Sequence, residues 1–477
     1  MPQRPVGTLA LTTPPAPPRT VRTARAGLVR APSRRALWAI GWAAAACCAA
    51  AVGLLAEPAP HRLWGRTAAI GYLSAALLAH VLPGRCTRTY SSAAALTGAV
   101  AVPFLQLALT GRAQSEVGVV ERSAALLRTT GSPYLADPAT VTDYNPYLPG
   151  MSLFGLPAAL LGEESAAARL FGDPRLWCAL VLVACLAGAC AVLRRGAAHR
   201  PNKPPTRGSS TPWAALSVLV ASPLVALPLC VSGVDLPLVG LCCLGLALAA
   251  GDRPYAAGLA LAAACALKWT ALPAVTVACA LLASRSGARA ATRCLAAWSA
   301  GVLAAVVPFA LAAPGPLLDQ VVAFPTGRAA VATPADSPLP GRLLADLGPP
   351  GWYAAIALLV CGGVAVGVSL VLRPPADAFT AVDRLAAGLC IAFLCAPAGR
   401  FGYFVLPLVL VAWVRIATPA RRPVPRPEPR HPIARHRADS EESSRLEHHT
   451  RRHQRLPAAA GRDRDVRPRH GHALPGR

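Results

Sequence analysis

Long apolar segments, repeated along most of the chain, constrain the fold more strongly than any other feature. They lie at about residues 36–56, 67–83, 93–110, 176–193, 212–231, 236–251, 256–267, 269–283, 294–313, 351–372, 385–397 and 401–416. About 20 apolar residues can cross a bilayer as a helix, which bonds its own backbone polar groups. We therefore predict an all-α polytopic membrane protein with about 12 transmembrane helices.

Composition supports this prediction and excludes two other classes of protein. Hydrophobic residues make up 54% of the 477 residues, and charged residues only 14%. A soluble domain is about one quarter charged, and a disordered chain contains far fewer apolar residues. An ordinary soluble enzyme and a disordered protein are therefore both excluded.

The formal net charge of +25 is concentrated in two tails and in short loops. Residues 1–35 contain seven arginines and no acid, and residues 418–477 contain fifteen arginines. We predict that both are disordered basic cytoplasmic tails, and that residues 36–417 form the transmembrane domain. A basic tail beside a membrane contacts anionic lipid, so we expect membrane lipids and not nucleic acid as its partners.

Basic residues between the apolar segments predict the orientation of the chain. If both termini are cytoplasmic, the basic loops 194–207 and 285–293 also lie inside, as the positive-inside rule requires. The long segments 111–175 and 314–350 then lie outside, and they hold most of the acids that are not in the tails. We predict a multi-pass protein of the cell (plasma) membrane.

An amphipathic helix is predicted in the first outer segment, at residues 112–128. Apolar side chains recur there at three- and four-residue spacing and form one stripe: Val117, Val120, Ala124 and Leu127. Glu116 and Glu121 flank this stripe on either side, at the edge of the membrane. Both are candidate catalytic carboxylates, and the alternative is that they form the water-facing side of the helix.

Three tyrosines follow in a loop rich in proline and glycine: Tyr134, Tyr144 and Tyr147. Tyrosine rings stack on sugars while their hydroxyls bond to ligand or water, so we predict substrate-binding roles for all three. Aromatic anchoring at the membrane interface is the alternative. The apolar stretch 151–162 that comes next is too short to span, and we expect it to lie at the outer interface.

The order of these motifs resembles the first outer loop of the GT-C glycosyltransferase superfamily. The resemblance is to glycosyltransferase family 87, the actinobacterial polyprenyl-phosphate-mannose-dependent alpha-mannosyltransferases. That family has an Asp near a helix start, then a Leu-Leu pair, a glycine, Pro-Tyr and Tyr-Pro-Pro. The matching residues here are Glu116, Leu126-Leu127, Gly131, Pro133-Tyr134 and Tyr144-Asn145-Pro146-Tyr147-Leu148-Pro149. This chain has Glu in place of Asp, an expanded Tyr-Pro-Pro, and two extra helices before the loop.

The resemblance implies a GT-C-like bundle that transfers a sugar, mannose in that family, from a polyprenyl-phosphate donor. The acceptor would be an envelope lipid or glycan. Such a transfer needs a carboxylate that takes the proton of the acceptor hydroxyl and a cation that holds the departing phosphate. Glu116 and Glu121 suit the first task by location. The resemblance favours Glu116, whereas helical positions do not separate the two.

Further candidate substrate-binding residues lie outside this loop. Lys268 interrupts the apolar stretch 256–283, whose two ends are cytoplasmic, so we expect the lysine at the outer face, holding phosphate. Arg400 lies in the last outer turn, before Tyr403, and a guanidinium suits phosphate oxygens. Asp235, in another outer turn, is expected to bind sugar or metal, or to cap the next helix. A snorkelling lysine and an interfacial arginine are the alternatives.

The sequence contains no cofactor-binding signature such as G-x-G-x-x-G before a helix, a Walker loop or H-E-x-x-H. The sequence therefore predicts no particular cofactor, and a divalent metal stays possible. The competing function is a polytopic transporter or lipid flippase without covalent chemistry, and a third is a non-catalytic scaffold for envelope assembly. Matching halves with broken helices would favour a transporter, and no such pairing is recognisable.

Overall fold

A computed structural model describes residues 33–83, 86–162, 164–198 and 212–417. Within these ranges the regular structure is helical, without strands, and one isolated bridge joins Asp336 to Gly399. This confirms the all-α prediction for the part of the chain that the structure describes. The predicted tail 418–477 and nearly all of the predicted tail 1–35 lie outside it.

The first helices build the N-terminal part of the bundle and the first outer segment. They are α1 (Arg34–Leu55), α2 (Ala59–Val81), α3 (Thr87–Leu96), α4 (Val102–Leu109), α5 (Ser115–Thr130), α6 (Leu156–Leu161), α7 (Ala166–Gly172) and α8 (Pro174–Ala198). A π-helical turn, Thr97–Ala101, joins α3 to α4 in one continuous helix. A 3-10 turn, Pro149–Gly155, leads into α6.

The remaining helices complete the bundle. They are α9 (Pro212–Ala221), α10 (Pro223–Val231), α11 (Leu236–Ala250), α12 (Pro254–Leu267), α13 (Leu272–Ser286), α14 (Ala288–Ala312), α15 (Pro314–Leu318), α16 (Pro340–Ala345), α17 (Pro349–Leu372), α18 (Ala378–Cys395) and α19 (Val405–Ala417). A π-helical turn, Asp319–Ala323, follows α15, and 3-10 turns at Trp269–Ala271 and Phe401–Phe404 precede α13 and α19.

In the part of the chain that the structure describes, six helices are long and apolar enough to cross a membrane: Arg35–Leu55, Thr87–Leu109, Pro174–Gly196, Ala288–Ala312, Pro349–Leu372 and Ala378–Cys395. The pair α9 and α10, bent by 62° at the break before Pro223, qualifies as a seventh span when it is taken together. In the most apolar 18-residue window of α14 only 6% of the residues are buried, and in that of α17 only 11%. Apolar faces so little covered by protein fit contact with lipid.

The predicted number of twelve spans is not confirmed, and helix length is the main reason. α11, α12 and α13 have 15, 14 and 15 residues, or about 22 Å at 1.5 Å per residue. The hydrocarbon layer is about 30 Å thick. α2 is long enough, but it carries Arg62 and Arg66 near its start and is not among the six.

Contacts at both ends show that α11, α12 and α13 run back and forth through the bundle. Asp252, after α11, pairs with Arg285 at the end of α13 (Oδ2 to Nη2, 3.2 Å). Asp235, before α11, pairs with Lys268 between α12 and α13 (Oδ1 to Nζ, 2.9 Å). The chain therefore reverses at Lys268. We call the end of the bundle that holds Asp235 and Lys268 the site end.

Small residues let these helices approach closely. A Cβ atom on Gly258 of α12 would lie 2.3 Å from the carbonyl oxygen of Cys294 in α14. A Cβ on Gly65 of α2 would lie 2.2 Å from the backbone nitrogen of Gly53 in α1. Packing of this kind replaces the hydrophobic driving force that helices lack when their surroundings are lipid.

Candidate active site

Helix α5 brings Glu116 to the site end of the bundle. The predicted apolar stripe of this helix is buried, except for the half-buried Leu127. The amide of Gln114 donates to the carbonyl of Val231 (2.8 Å) at the end of α10, which fixes the place where α5 begins. Glu116 lies in the first turn, and its side chain is 17% exposed.

Arg400 reaches Glu116 from the other end of the chain. Its Nη1 atom forms an ion pair with Oε1 of Glu116. The loop that carries it is held by the second outer segment, since the amide of Gly399 donates to the carbonyl of Ala335 (2.9 Å). Arg400 Nε also donates to the carbonyl of Pro334 (3.3 Å). The two predicted outer segments thus meet at this ion pair.

Lys268 stands in extended backbone at the break between α12 and α13, and its side chain is only 13% exposed. Its amine donates to Asp235 and lies 4.9 Å from the ring centroid of Tyr403 and 5.5 Å from that of Tyr147. Burial by itself lowers the pKa of Lys268, but the attraction of Asp235 and other acidic neighbours outweighs it and raises the pKa. The amine is therefore a protonated cation at neutral pH.

A cavity of about 1110 Å³ joins these side chains. Its polar part is lined by Glu116, Asp235, Lys268, Arg400, Tyr144, Tyr147 and Tyr403. Its apolar walls come from α13, α14, α17 and α18: Val275, Leu295, Trp298, Ile356, Leu359, Val366, Leu370, Leu385 and Leu389. The cavity thus joins the cations Lys268 and Arg400 and the carboxylates Glu116 and Asp235 to apolar walls. A third cation, Arg384 of α18, also lines it and donates to the carbonyl and the hydroxyl of Ser369 (both 2.8 Å).

The three predicted loop tyrosines have different environments. Tyr144 stacks on Phe324, with ring centroids 4.4 Å apart, and lines the cavity together with Tyr147. Tyr134 does not line it; its hydroxyl donates to the carbonyl of Tyr147 (3.0 Å) from behind. Burial raises the pKa of the hydroxyls of Tyr134 and Tyr147, so both stay protonated. Tyr134 therefore supports the wall through Tyr147, and its predicted contact with substrate stays a prediction.

The structure separates the two candidate carboxylates that the helical pattern left equivalent. Glu116 lines the cavity, whereas Glu121, which is also half-buried, is not among the described residues of its lining. The alternative for Asp235, a helix cap, is not observed. It stands at the N-cap position of α11, but its side chain makes no capping hydrogen bond and pairs with Lys268 instead.

His61 is a residue of the cavity that the sequence analysis did not single out. His61, in the first turn of α2, lines the cavity on the side of Glu116. Its Nδ1 atom is buried and has no hydrogen-bond partner among the residues that the structure describes. Burial lowers the pKa of His61, and the nearby charge of Glu116 opposes this shift. Its place between the apolar segments 36–56 and 67–83 is the signal that the sequence offers for it.

A second missed feature is a fully buried ion pair behind the site. Arg175, at the start of α8, pairs with Asp173 (Nη2 to Oδ2, 2.6 Å). Its Nη1 atom donates to the carbonyls of Arg112 (3.1 Å) and Cys230 (2.6 Å). The guanidinium therefore ties together the end of α10, the start of α8 and the turn before α5. Nothing in the local pattern of the sequence marks Arg175 as buried.

No group of three or more His, Cys, Asp or Glu side chains converges anywhere in residues 33–83, 86–162, 164–198 and 212–417. The carboxylates of the cavity are instead engaged by Arg400 and Lys268. The described ranges therefore contain no cluster of three such ligands for a divalent metal, a requirement that the sequence left open. The histidines of the tail 418–477 lie outside them.

Comparison with known proteins identifies one family. The family model of glycosyltransferase family 87 matches residues 145–397, which is more than half of the chain. This range contains Tyr147, Asp235 and Lys268, whereas Glu116 and Arg400 lie outside it. No curated protein and no solved structure is significantly similar to the chain.

Proposed function

The chain belongs to glycosyltransferase family 87, and from this membership we propose that it transfers a sugar from a polyprenyl-phosphate donor. The family and the apolar helices support a membrane glycosyltransferase. We further propose that the sugar is mannose and that the acceptor is a lipid or glycan of the cell envelope. A transporter or lipid flippase is not favoured by the family match.

A single observation carries the proposal: Lys268 and Arg400 line the same cavity as apolar side chains from α13, α14, α17 and α18. A polyprenyl-phosphate sugar has the same two parts, an anionic head and an apolar tail. The walls contributed by α13, α14, α17 and α18 suit the tail, because burying apolar surface is favourable at about 25 cal/mol per Å². The two cations suit the phosphate, and Arg400 offers several donors to its oxygens.

We assign the proton transfer to Glu116. As the acceptor hydroxyl attacks the anomeric carbon, its proton passes to a carboxylate, and the phosphate leaves with the electron pair of the broken C–O bond. Glu116 lies at the start of α5, and its carboxylate is in contact with Arg400. Lys268 and Arg400 stabilise the negative charge that grows on the leaving phosphate. Tyr144, Tyr147 and Tyr403 shape the sugar site.

The orientation is part of the same proposal. The distribution of basic residues supports cytoplasmic termini, with the segments 111–175 and 314–350 outside. The site end then faces the outside of the plasma membrane. No soluble nucleotide-sugar site is needed there, since the donor is anchored in the bilayer by its tail.

The test is sugar transfer by the purified, lipid-reconstituted protein with radiolabelled polyprenyl-phosphate mannose and actinobacterial envelope acceptors. We expect Glu116→Gln to lower the rate about 10²- to 10⁴-fold, the usual contribution of a general base, and Lys268→Ala to weaken use of the donor. Glu164→Gln, an exposed carboxylate in the same outer segment, is the matched control.

Two results would contradict the assignment. Transfer that survives in Glu116→Gln but is lost in Glu121→Gln, with both variants folded, would move the base to Glu121. Failure of the folded wild-type protein to bind the labelled donor would remove the donor proposal and make transport the leading alternative.

A further inference from the structure

We propose that Glu116 and Asp235 compete with the donor phosphate for Arg400 and Lys268, so that binding of the donor exchanges ion-pair partners and frees Glu116 to act as the base. This inference rests on the proposed function and concerns how the same site is controlled. It assigns Glu116 a second task, the release of the product phosphate.

The first support is that Lys268 and Arg400, the two cations nearest to Glu116 and Asp235, are both engaged by carboxylates. Arg400 pairs with Glu116, and Lys268 pairs with Asp235 at 2.9 Å. The side chains of Lys268, Arg400 and Glu116 are 13%, 29% and 17% exposed and are largely removed from water, whereas that of Asp235 is 42% exposed. Buried charges are stable only when they are paired, and a phosphate that binds both cations has to replace bonds that already exist.

The second support is that Glu116 cannot serve Arg400 and a substrate hydroxyl equally well. The Oε1 atom that contacts Arg400 has one other polar neighbour, Gln114 Nε2 at 3.4 Å, and Oε2 has Ser115 Oγ at 3.5 Å. Both distances are too long for strong hydrogen bonds. The guanidinium is therefore the main partner of the carboxylate, and while it holds Oε1 only Oε2 is left for a substrate hydroxyl.

The third support is that Glu116 has a second stable environment when Arg400 leaves it. The residue lies in the first turn of the 16-residue helix α5, whose N-terminus has no side-chain cap. The unpaired amides and the helix dipole at such an end stabilise a carboxylate. Glu116 can therefore lose Arg400 to a phosphate and remain charged, beside the acceptor, until it takes the proton.

The charges balance through the cycle. The donor phosphodiester carries one negative charge, and Glu116 carries another. Transfer forms the bond between the acceptor oxygen and the anomeric carbon and breaks the bond from that carbon to the phosphate oxygen. The leaving phosphate gains one negative charge while Glu116 gains the proton, so the total is unchanged. When the proton passes to water, Glu116 is charged again, competes for Arg400 and displaces the phosphate product.

The experiment measures the binding of a polyprenyl monophosphate to the purified full-length protein in detergent. We expect Glu116→Gln to bind this lipid about tenfold more tightly than the wild type, because the competing carboxylate is gone. Glu116→Ala serves as a second variant should the glutamine form fold poorly. Glu164→Gln is the control for loss of an exposed acid and should bind like the wild type.

A double variant tests whether the effect passes through Arg400. In an Arg400→Gln background, replacing Glu116 should no longer tighten binding, because the group for which carboxylate and phosphate compete is absent. Inorganic phosphate and the unphosphorylated polyprenol are measured beside the lipid phosphate. Tightening seen with inorganic phosphate alone would assign the exchange to a free anion and overturn its link to the lipid donor.

The failure of this inference is distinguishable from that of the proposed function. Lipid phosphate that binds the wild type and Glu116→Gln with equal affinity would overturn the ion-pair exchange and leave the glycosyltransferase assignment intact. A folded wild-type protein and folded variants that all fail to bind lipid phosphate would overturn both. A tighter Glu116→Gln variant that releases its product more slowly would support both.

Discussion

Two ion pairs of arginine with a carboxylate lie near the same end of the bundle and differ in what surrounds them. The pair of Arg175 and Asp173 is 2% and 7% exposed, and its guanidinium also donates to two backbone carbonyls. The pair of Arg400 and Glu116 is 29% and 17% exposed and borders the cavity. The comparison teaches that burial and saturated hydrogen bonding make the first pair a structural brace, whereas access to the cavity makes the second exchangeable.

Breaking the brace should have the largest effect. Arg175→Ala leaves the Asp173 carboxylate buried without its partner and leaves two carbonyls unbonded, so we expect a loss of about 3–5 kcal/mol in the free energy of unfolding. Thermal unfolding in detergent measures it. Arg415→Ala, which breaks an exposed pair with Asp383, is the control and should cost about 1 kcal/mol or less. Equal losses in the two variants would refute the contrast.

Breaking the exchangeable pair should change activity and leave stability nearly intact. Arg400→Gln removes a donor from the departing phosphate, and we expect transfer to fall about 10²- to 10³-fold, as for other donors that stabilise a developing anion. The melting temperature should stay close to that of the wild type, because Arg400 borders the cavity. A variant with a lowered melting temperature and normal donor binding would show that Arg400, like Arg175, has a structural role.

Removing an aromatic ring beside Lys268 should reduce activity less than removing the guanidinium of Arg400. Tyr403→Leu removes a ring 4.9 Å from the amine, and a cation–π contact of this kind contributes about 0.5–2 kcal/mol. We expect the KM for the donor to rise about two- to thirtyfold, with little change in kcat. Tyr403→Phe keeps the ring and should behave like the wild type. If the phenylalanine variant is as impaired as the leucine variant, the hydroxyl and not the ring acts on the donor.

The smallest effect is expected at Asp143, in the exposed turn of the first outer segment. The hydroxyl and amide of Thr140 and the amide of Ala139 donate to its carboxylate and lower its pKa. At pH values above the ordinary pKa of aspartate, the ionised carboxylate stabilises the turn. This stabilisation is lost as the pH falls through the lowered pKa of Asp143. In that pH range, hydrogen exchange of the Thr140 amide should become faster relative to that of other exposed amides. Asp143→Asn should abolish that pH dependence and change transfer less than about twofold.

Much of the fold could be predicted from local patterns. The apolar segments became helices, and the stripe on α5 became its buried face, because hydrophobic periodicity reports which side of a helix leaves water. The break at Lys268 and the reversal there followed from a charge inside an apolar stretch. The number of spans did not follow, because α11 to α13 are too short to qualify and no single pattern reveals how short helices pack.

The candidate site could be predicted only in part. Asp235, Lys268 and Arg400 were identified as charges in outer turns, and the structure brings them into one cavity with Glu116. Their pairing could not be inferred, because four charges in four separate turns allow several combinations. His61 and Arg175 were missed for a related reason: a lone histidine or arginine at a helix start looks like a solvated residue until its neighbours are known.

The sequence by itself determined the helical, membrane-spanning class of the protein and the turns that carry its charges, because both depend on residues close together along the chain. Only the tertiary structure decided that Glu116 rather than Glu121 faces the cavity, that Arg400 meets it from a distant turn, and that Arg175 is sealed behind them. Those outcomes depend on which surfaces pack together, and packing selects partners by shape and burial across the whole bundle.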